Sequence, residues 1–252
     1  MVMIIAIFIF GLIIGSFLNA LIWRLWSGKS IMAASSECPI CHHELSWSDL
    51  VPVVSFFVLG RKCRYCRKPI SWQYPAVELA TALGFVLVAR NFQFPISNFQ
   101  FWMQIIFASI LIVIFVYDLK HYLILDKIVF PGAVIALGYQ VYRGDWVNAL
   151  LGAAVLSGFF GLLYFVSRGR WIGFGDVKLG IFLGLLVPFP SVAVLFLLAY
   201  FLGAAVSLGL VTAGKKKFSS RLPFGTFLTA AAFVAMLWGE GMTRWYLRLI
   251  GV

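Results

Sequence analysis

The stretch FASILIVIFVYD, residues 107–118, has no charged side chain until it reaches Asp118. It ends a longer uncharged segment, residues 99–117, and a helix needs about 20 such residues to cross the hydrocarbon core of a membrane. Seven further apolar segments lie at about residues 3–23, 76–90, 128–142, 146–166, 177–189, 191–212 and 225–243. Because a bilayer offers no partners for backbone polar groups, the pattern predicts an all-α, polytopic membrane helix bundle of about eight transmembrane helices.

The composition of the chain agrees with a membrane protein. Of its 252 residues, 62% are hydrophobic and only 12% are charged, which excludes an ordinary water-soluble domain. The formal net charge is +11, but the basic residues are spread between the apolar segments, so we expect no nucleic-acid partner. Residues 1–23 lack a basic start and have a long apolar run, so we interpret them as a retained first helix and not as a signal peptide.

Lysine and arginine are distributed unequally between the two sides of the membrane if the eight helices alternate in direction. One set of loops then holds sixteen basic residues, whereas the opposite set holds only Arg90, Arg143, Arg244 and Arg248. The positive-inside rule therefore predicts that the hydrophilic insertion at residues 24–75 is cytoplasmic and that both termini lie outside.

Two carboxylates stand at the ends of apolar segments. Asp118 follows residues 99–117, and Asp176 precedes residues 177–189. Ionisable groups at this depth are costly and are often functional, although both residues can also be simple anchors of helix ends. Asp126 lies in a polar stretch, and we expect it to be a charge at the membrane boundary.

The residues around Asp176 favour a functional interpretation. Gly173 and Gly175 precede it, and we expect them to give the backbone freedom in φ and to let another segment approach. Asp176, Gly180 and Gly184 share one helix face, which predicts tight packing against a neighbouring helix. If that neighbour ends in Asp118, the two carboxyls can share a proton and act as base and acid on one water molecule.

Four cysteines form two pairs with the C-x₂-C spacing, which predicts a closed metal site. Cys38 and Cys41 are separated by 21 residues from Cys63 and Cys66. Four thiolates can surround a structural Zn²⁺ ion tetrahedrally, and two redox pairs or four free thiols are the alternatives. Apart from Trp47 and apolar side chains at positions 51–58, the insertion has little to bury, so we expect it to need the metal. We thus predict three parts: a first helix at 1–23, a tetracysteine segment at 24–75, and a membrane core at 76–252.

The order of these motifs along the chain resembles that of the bacterial type IV prepilin peptidases. The matching elements are GSFLN at 15–19 ahead of Arg24-Leu25, the two cysteine pairs, ISWQYPAVEL at 70–79, Asp118, GFGDVKL at 173–179 and PFG at 223–225. The resemblance implies a GxGD-type intramembrane aspartic protease of the bacterial inner membrane. Such an enzyme removes the basic leader of type IV prepilins or type II secretion pseudopilins, after a glycine and at the cytoplasmic face.

The resemblance also implies the roles of individual residues. The catalytic aspartates correspond to Asp118 and Asp176, with Gly173, Gly175 and Lys178 supporting the active site. Many members also methylate the new N-terminal residue with S-adenosylmethionine, an activity linked to the cysteine segment. No glycine-rich nucleotide motif marks a site for this cofactor here, so the expectation depends on the resemblance alone.

One position departs from the family pattern, since Leu125 stands where a proline usually precedes the acidic residue after the first catalytic aspartate. Two other classes of protein also fit the residues: a proton-coupled transporter and a zinc-braced membrane scaffold without activity.

Overall fold

The computed structural model of the chain describes residues 2–30, 36–92, 98–215, 222–249 and 251. Across these residues it is all-helical, with two isolated β-bridges and no strand, which confirms the predicted fold class. The chain divides into two compact units, Met1–Ser109 and Ile110–Val252.

The first unit contains the predicted cytoplasmic insertion and the helices on either side of it. Its elements are α1 (Val2–Ser27), a 3₁₀ turn (Trp47–Leu50), α2 (Val54–Val58), α3 (Gln73–Phe92) and the first part of α4 (Phe99–His121). Helices α1 and α3 pack closely because α1 has a glycine at the contact. A Cβ atom on Gly15 would lie 2.6 Å from the Cα atom of Glu78 in α3.

The second unit is built around one short helix. Its elements are the end of α4, α5 (Asp126–Arg143), α6 (Trp146–Ser167), α7 (Phe174–Leu186), α8 (Val192–Thr212) and α9 (Phe224–Leu249). Helix α7 packs against α5, α6 and α9, and most of its residues after Lys178 are buried. Helix α8 packs mainly against α9.

The glycine face of α7 packs tightly against a neighbouring helix, as the spacing predicts, but that neighbour is α6. A Cβ atom on Gly184 would lie 2.4 Å from the backbone nitrogen of Ala153, and one on Gly180 would lie 3.2 Å from the Cα atom of Ser157. The condition that the neighbour of this stripe ends in Asp118 is therefore not met. Small residues of α6 fill this contact. Asp118 does not take part in it and interacts instead with Asp176, in the first turn of α7.

Five helices among the described residues are long and apolar enough to cross a membrane: α1, α4, α6, α8 and α9. Helices α3, α5 and α7 occupy the other three predicted segments without meeting this standard, and α7 has only 13 residues. The count of eight spans, and the orientation that depends on it, therefore stay predictions. Of the sixteen basic residues counted for that orientation, Lys216, Lys217 and Arg221 lie outside the described residues.

Candidate active site

Asp176 is positioned by the first turn of α7. Gly173 is the residue that caps this helix, and the backbone N–H of Gly173 donates a hydrogen bond to the Asp176 carboxylate. A carboxylate in the first turn is also stabilised by the helix dipole. The local sequence therefore fixes the side chain at the start of the helix.

The sequence predicts that Gly173 and Gly175 provide freedom in φ and room for a close approach, and the structure separates these two roles. Gly173 has φ −79° and ψ 150°, an extended conformation that any residue adopts. Gly175 is needed for close approach, because a Cβ atom there would lie 3.1 Å from the Cβ atom of Ile124. Thus the prediction of a close approach applies to Gly175, and the prediction of unusual φ does not apply to Gly173.

Asp118 is held at the opposite side of the site by the first turn of α9. The side chain is buried, with 4% exposure of the residue, near the end of α4. Its Oδ2 atom accepts two hydrogen bonds from Thr226, one from the backbone N–H at 2.6 Å and one from the hydroxyl at 3.0 Å. Two donors and a helix N-terminus stabilise negative charge on this carboxylate.

Asp118 and Asp176 are near enough to interact electrostatically. The side chain of Ile124, in the loop between α4 and α5, packs beside Gly175 of α7 and Gly225 of α9. If a Cβ atom were added to Gly225, it would lie 3.1 Å from Cδ1 of Ile124 and 2.9 Å from Oδ2 of Asp118. Two glycines of different helices therefore leave the space that the isoleucine and the carboxylate occupy.

An aromatic cluster lies next to the carboxylates. The ring of Tyr200 in α8 packs against Phe196 and Phe224, with ring centroids 4.7 and 5.4 Å apart. Tyr200 also interacts electrostatically with Asp176. Because Phe224 is the first residue of α9, this cluster also supports the turn that contains Thr226.

Lys178 forms an ion pair that the sequence does not predict. Its Nζ atom lies 2.9 and 2.8 Å from the two carboxylate oxygens of Asp126 and within 5.2 Å of the ring centroid of Phe174. The pair links the starts of α5 and α7. Asp126 thus has a specific partner in addition to its expected position at a helix boundary. Leu125, which replaces the usual proline, caps α5 with φ −86° and ψ 119°, so the helix still begins there.

The four cysteines of the first unit lie together as the spacing predicts. Their sulfur atoms are all within 4.8 Å of one another, and Sγ of Cys38 lies 3.9 Å from Sγ of Cys66. A tetrahedral site with Zn–S bonds of 2.3 Å needs sulfur atoms about 3.8 Å apart. The backbone N–H groups of Cys66 and Tyr65, opposed by burial, lower the pKa of the Cys63 thiol to about 7, and the thiolate is the form that binds metals.

The two cysteine turns share one backbone geometry. The N–H of His42 donates to the carbonyl of Cys38, and the N–H of Arg67 donates to that of Cys63, each at 3.0 Å. Both donors have positive φ, 56° and 60°. This repeated turn directs two sulfur atoms from each pair toward a common centre, so the residues present fit a closed metal site.

Asp49 ties the second cysteine turn to the 3₁₀ turn. Its side chain, 3% exposed, accepts hydrogen bonds from Arg64 Nε at 2.8 Å, Ser46 Oγ at 2.9 Å and Tyr65 Oη at 3.2 Å. His43 of the first turn stacks on Tyr65 of the second, with ring centroids 3.6 Å apart. These contacts hold the two turns against each other.

Sequence reasoning did not identify Thr226, Ile124 or Tyr200. The only signal for Thr226 is its position directly after the motif PFG at 223–225. Ile124 and Tyr200 are apolar or aromatic residues in apolar surroundings, and only the fold brings them next to the carboxylates.

Two family models match separate parts of the chain. Residues 9–92 match the Bacterial Peptidase A24 N-terminal domain, and residues 105–208 match the Type IV leader peptidase family. No solved structure matches the chain.

Curated relatives share one name. A "Prepilin leader peptidase/N-methyltransferase" of Aeromonas hydrophila is 31% identical over 96% of this chain and 92% of its own length. The proteins of the same name from Bacillus subtilis and Pseudomonas aeruginosa are 32% and 30% identical, over 96% of this chain in each case and 97% and 92% of their own lengths. These names favour an enzyme over a transporter or an inactive scaffold. The chain belongs to the prepilin leader peptidase/N-methyltransferase family.

Proposed function

We propose that this chain cleaves the leader peptide of type IV prepilins or type II secretion pseudopilins and methylates the new N-terminus, with Asp118 and Asp176 as the catalytic pair. The observation that carries the proposal is that these two carboxyls interact inside a helical membrane unit, where Asp176 lies in the first turn of α7 and Asp118, at the end of α4, accepts a hydrogen bond from the first turn of α9. Relatives of nearly equal length carry the name of this activity.

The surroundings of the two carboxyls suggest how they divide the work. The two donors of Thr226 stabilise the ionised form of Asp118, so the shared proton resides on Asp176. Asp118 then takes a proton from the attacking water as the oxygen of that water bonds to the scissile carbonyl carbon. Asp176 gives its proton to the carbonyl oxygen, so a gem-diol forms. As the C–N bond breaks, the proton on Asp118 passes to the leaving amine and one hydroxyl of the gem-diol returns its proton to Asp176, which leaves a carboxylic acid and an amine as products.

The remaining predicted residues support this site indirectly. Gly175 leaves room for Ile124, and Gly173 donates to the Asp176 carboxylate. Lys178 holds Asp126 and thereby the start of α5 against α7. None of the three is required to exchange a proton with the substrate.

The test uses purified protein in nanodiscs and a purified prepilin. Asp118→Asn and Asp176→Asn should each abolish cleavage, and the double variant should be no worse than either single one because the two groups act as a unit. Asp145→Asn is the matched control, since Asp145 bonds Asn148 at the start of α6 and does not belong to the pair. Appreciable cleavage of the prepilin by Asp118→Asn would contradict the proposed mechanism.

We further propose that Cys38, Cys41, Cys63 and Cys66 hold one structural Zn²⁺ ion and that the methyl donor is S-adenosylmethionine. The sulfur spacing supports the ion, whereas the methyl donor is supported by the names of the relatives. The zinc would cross-link the two cysteine turns and take no part in cleavage, because four protein ligands leave no position for water. Elemental analysis should find about one zinc per chain for a Cys₄ site.

For the membrane arrangement, we propose a multi-pass protein of the bacterial inner membrane with its active site toward the cytoplasm and both termini outside. The unequal distribution of basic residues supports this orientation. Reporter fusions at Gly144, between α5 and α6, and at Ser97, which lies outside the described residues, should report an external location. Labelling of Lys216 only from outside the cell would overturn the orientation.

A further inference from the structure

The segment LVPVVSFFVLG, residues 50–60, is the longest uncharged part of the hydrophilic insertion. The sequence suggests that its apolar residues supply a small core, but among Val54, Phe56, Phe57 and Val58 the structure buries only Phe56, at 3% exposure. The exposures of Val54, Phe57 and Val58 are 57%, 59% and 76%. These three residues stand at positions i, i+3 and i+4 of α2, so they form one exposed apolar patch, which is typical of a contact with a membrane or another protein.

A hydrogen bond fixes the depth of this segment relative to the membrane helices. The backbone N–H of Val53 donates to Oε2 of Glu78 at 2.7 Å. Glu78 lies five residues after the first residue of α3, which is about 7 Å along the helix axis, and it contacts Gly15 near the middle of α1. Because α1 is long and apolar enough to span a membrane, this hydrogen bond joins the start of α2 to a residue of α3 that packs beside the middle of a candidate membrane helix.

The backbone of the segment is suited to an environment without water. The N–H groups of Val54 and Ser55 donate to the carbonyls of Pro52 and Val51, at 2.6 and 3.0 Å. The N–H of Val53, which has no helical acceptor, uses the buried carboxylate of Glu78 instead. Non-helical backbone is tolerated at membrane depth only when its polar groups are satisfied by protein in this way.

A basic and aromatic rim follows the apolar segment directly. Arg61 and Lys62 come next in the chain and are exposed. The guanidinium of Arg61 lies 5.2 Å from the ring centroid of Trp72, whose exposure is 54%. Tryptophan and basic residues are typical of the headgroup region, where the basic residues meet lipid phosphates.

We propose that residues 50–60 form a re-entrant wedge that inserts into the membrane leaflet on the side of the cysteine cluster. Val54, Phe57 and Val58 contact acyl chains, while Arg61 and Lys62 contact the phosphates of anionic phospholipids. The wedge ties the cysteine module to the membrane through the Val53–Glu78 hydrogen bond. This inference concerns a lipid contact and is independent of the proposed catalytic activity.

Photo-crosslinking in nanodiscs that contain phosphatidylglycerol tests the wedge. A benzophenone amino acid is placed singly at Phe57 or Val58 of the full chain, and at Ile40 as a control, because Ile40 is a 53% exposed apolar residue in the first cysteine turn. We expect lipid adducts by mass spectrometry at Phe57 and Val58 and few at Ile40. Adducts only to a second copy of the chain, or equal lipid adducts at Ile40, would overturn the proposal.

A matched pair of substitutions gives a second readout. Val58→Asp should expose the segment and speed tryptic cleavage after Arg61 or Lys62 about tenfold relative to Val58→Leu, because a carboxylate resists contact with acyl chains. Zinc content is measured in both variants to confirm that the cysteine module is intact. Equal cleavage rates in two zinc-loaded variants would contradict the wedge.

Discussion

Replacing Thr226 with valine should slow cleavage while leaving the protein folded. Valine has nearly the shape of threonine, and it removes the hydroxyl that donates to Oδ2 of Asp118 at 3.0 Å. The backbone N–H of residue 226, at 2.6 Å from the same oxygen, is retained. The substitution therefore removes one of two donors from a buried carboxylate without emptying the site.

The expected magnitude follows from this geometry. A hydrogen bond to a charged group contributes about 1.5 to 3 kcal/mol, and 3.0 Å is at the long end of the range for a hydroxyl donor. We therefore take about 1.5 kcal/mol, which corresponds to about a tenfold decrease in kcat. KM should change little, because the hydroxyl contacts the carboxylate of Asp118, which is proposed to be catalytic, and is not proposed to contact the substrate.

The assay is steady-state cleavage of a prepilin in nanodiscs, with two comparison variants. Thr226→Ser keeps the hydroxyl and should restore kcat to near the wild-type value. Thr229→Val makes the same chemical change one turn later in α9, where the hydroxyl donates only to the carbonyls of Gly225 and Thr226, and kcat should fall much less. If Thr226→Val has wild-type kcat, or if Thr226→Ser is as slow as Thr226→Val, Thr226 does not position Asp118.

Three other substitutions test packing, metal binding and charge. Gly184→Ala places a Cβ atom 2.4 Å from the backbone of Ala153, so it should lower the free energy of unfolding by about 2 kcal/mol. Gly158→Ala is the control, because Gly158 has open space around it and the free energy of unfolding should not change. Thermal unfolding in detergent measures both variants. Cys63→Ser should reduce bound zinc well below one per chain and should reduce methylation more than cleavage, which elemental analysis and the two activity assays compare. Burial opposes ionisation of Asp49, but hydrogen bonds from Arg64 and Ser46 outweigh it and lower the pKa of this carboxyl. Asp49→Asn should therefore destabilise the insertion fully above pH 3.8, where the wild-type carboxyl is ionised in the folded and the unfolded chain. Limited proteolysis should show the difference between Asp49→Asn and wild type shrinking as the pH falls through the lowered pKa.

The helical fold could be predicted because apolar segments in a bilayer have few alternatives. Each of the eight predicted segments coincides with a helix, and boundaries differ by a few residues where polar ends continue the helical turn, as at Gln73 in α3. Helix neighbours could not be predicted in the same way. The glycine face of α7 specifies that some helix approaches closely, but only the complementary small residues of α6 decide which one.

The sequence indicates those residues of the candidate site whose charge or spacing is rare in an apolar chain. It does not indicate the residues around them whose types are common. Asp118 and Asp176 are conspicuous because carboxylates at the ends of apolar segments are costly, and the cysteines are conspicuous because of their spacing. Thr226 is a common residue whose role arises only because the start of α9 meets the end of α4. Ile124 likewise acts through shape, and a single sequence carries no signal for that.

Thr226 lies beyond the residues that match the two family models. The matches to the two family descriptions end at residue 208, whereas the residue that donates twice to Asp118 is at the start of α9. The aspartates thus lie in the part of the chain that the Type IV leader peptidase family describes, while the group that stabilises the charge on one of them lies beyond it. A relative with the same two aspartates and a different first turn in its last helix should therefore divide the proton differently between them. Rates of cleavage among relatives should differ accordingly, even where the aspartates and the glycines beside them are the same.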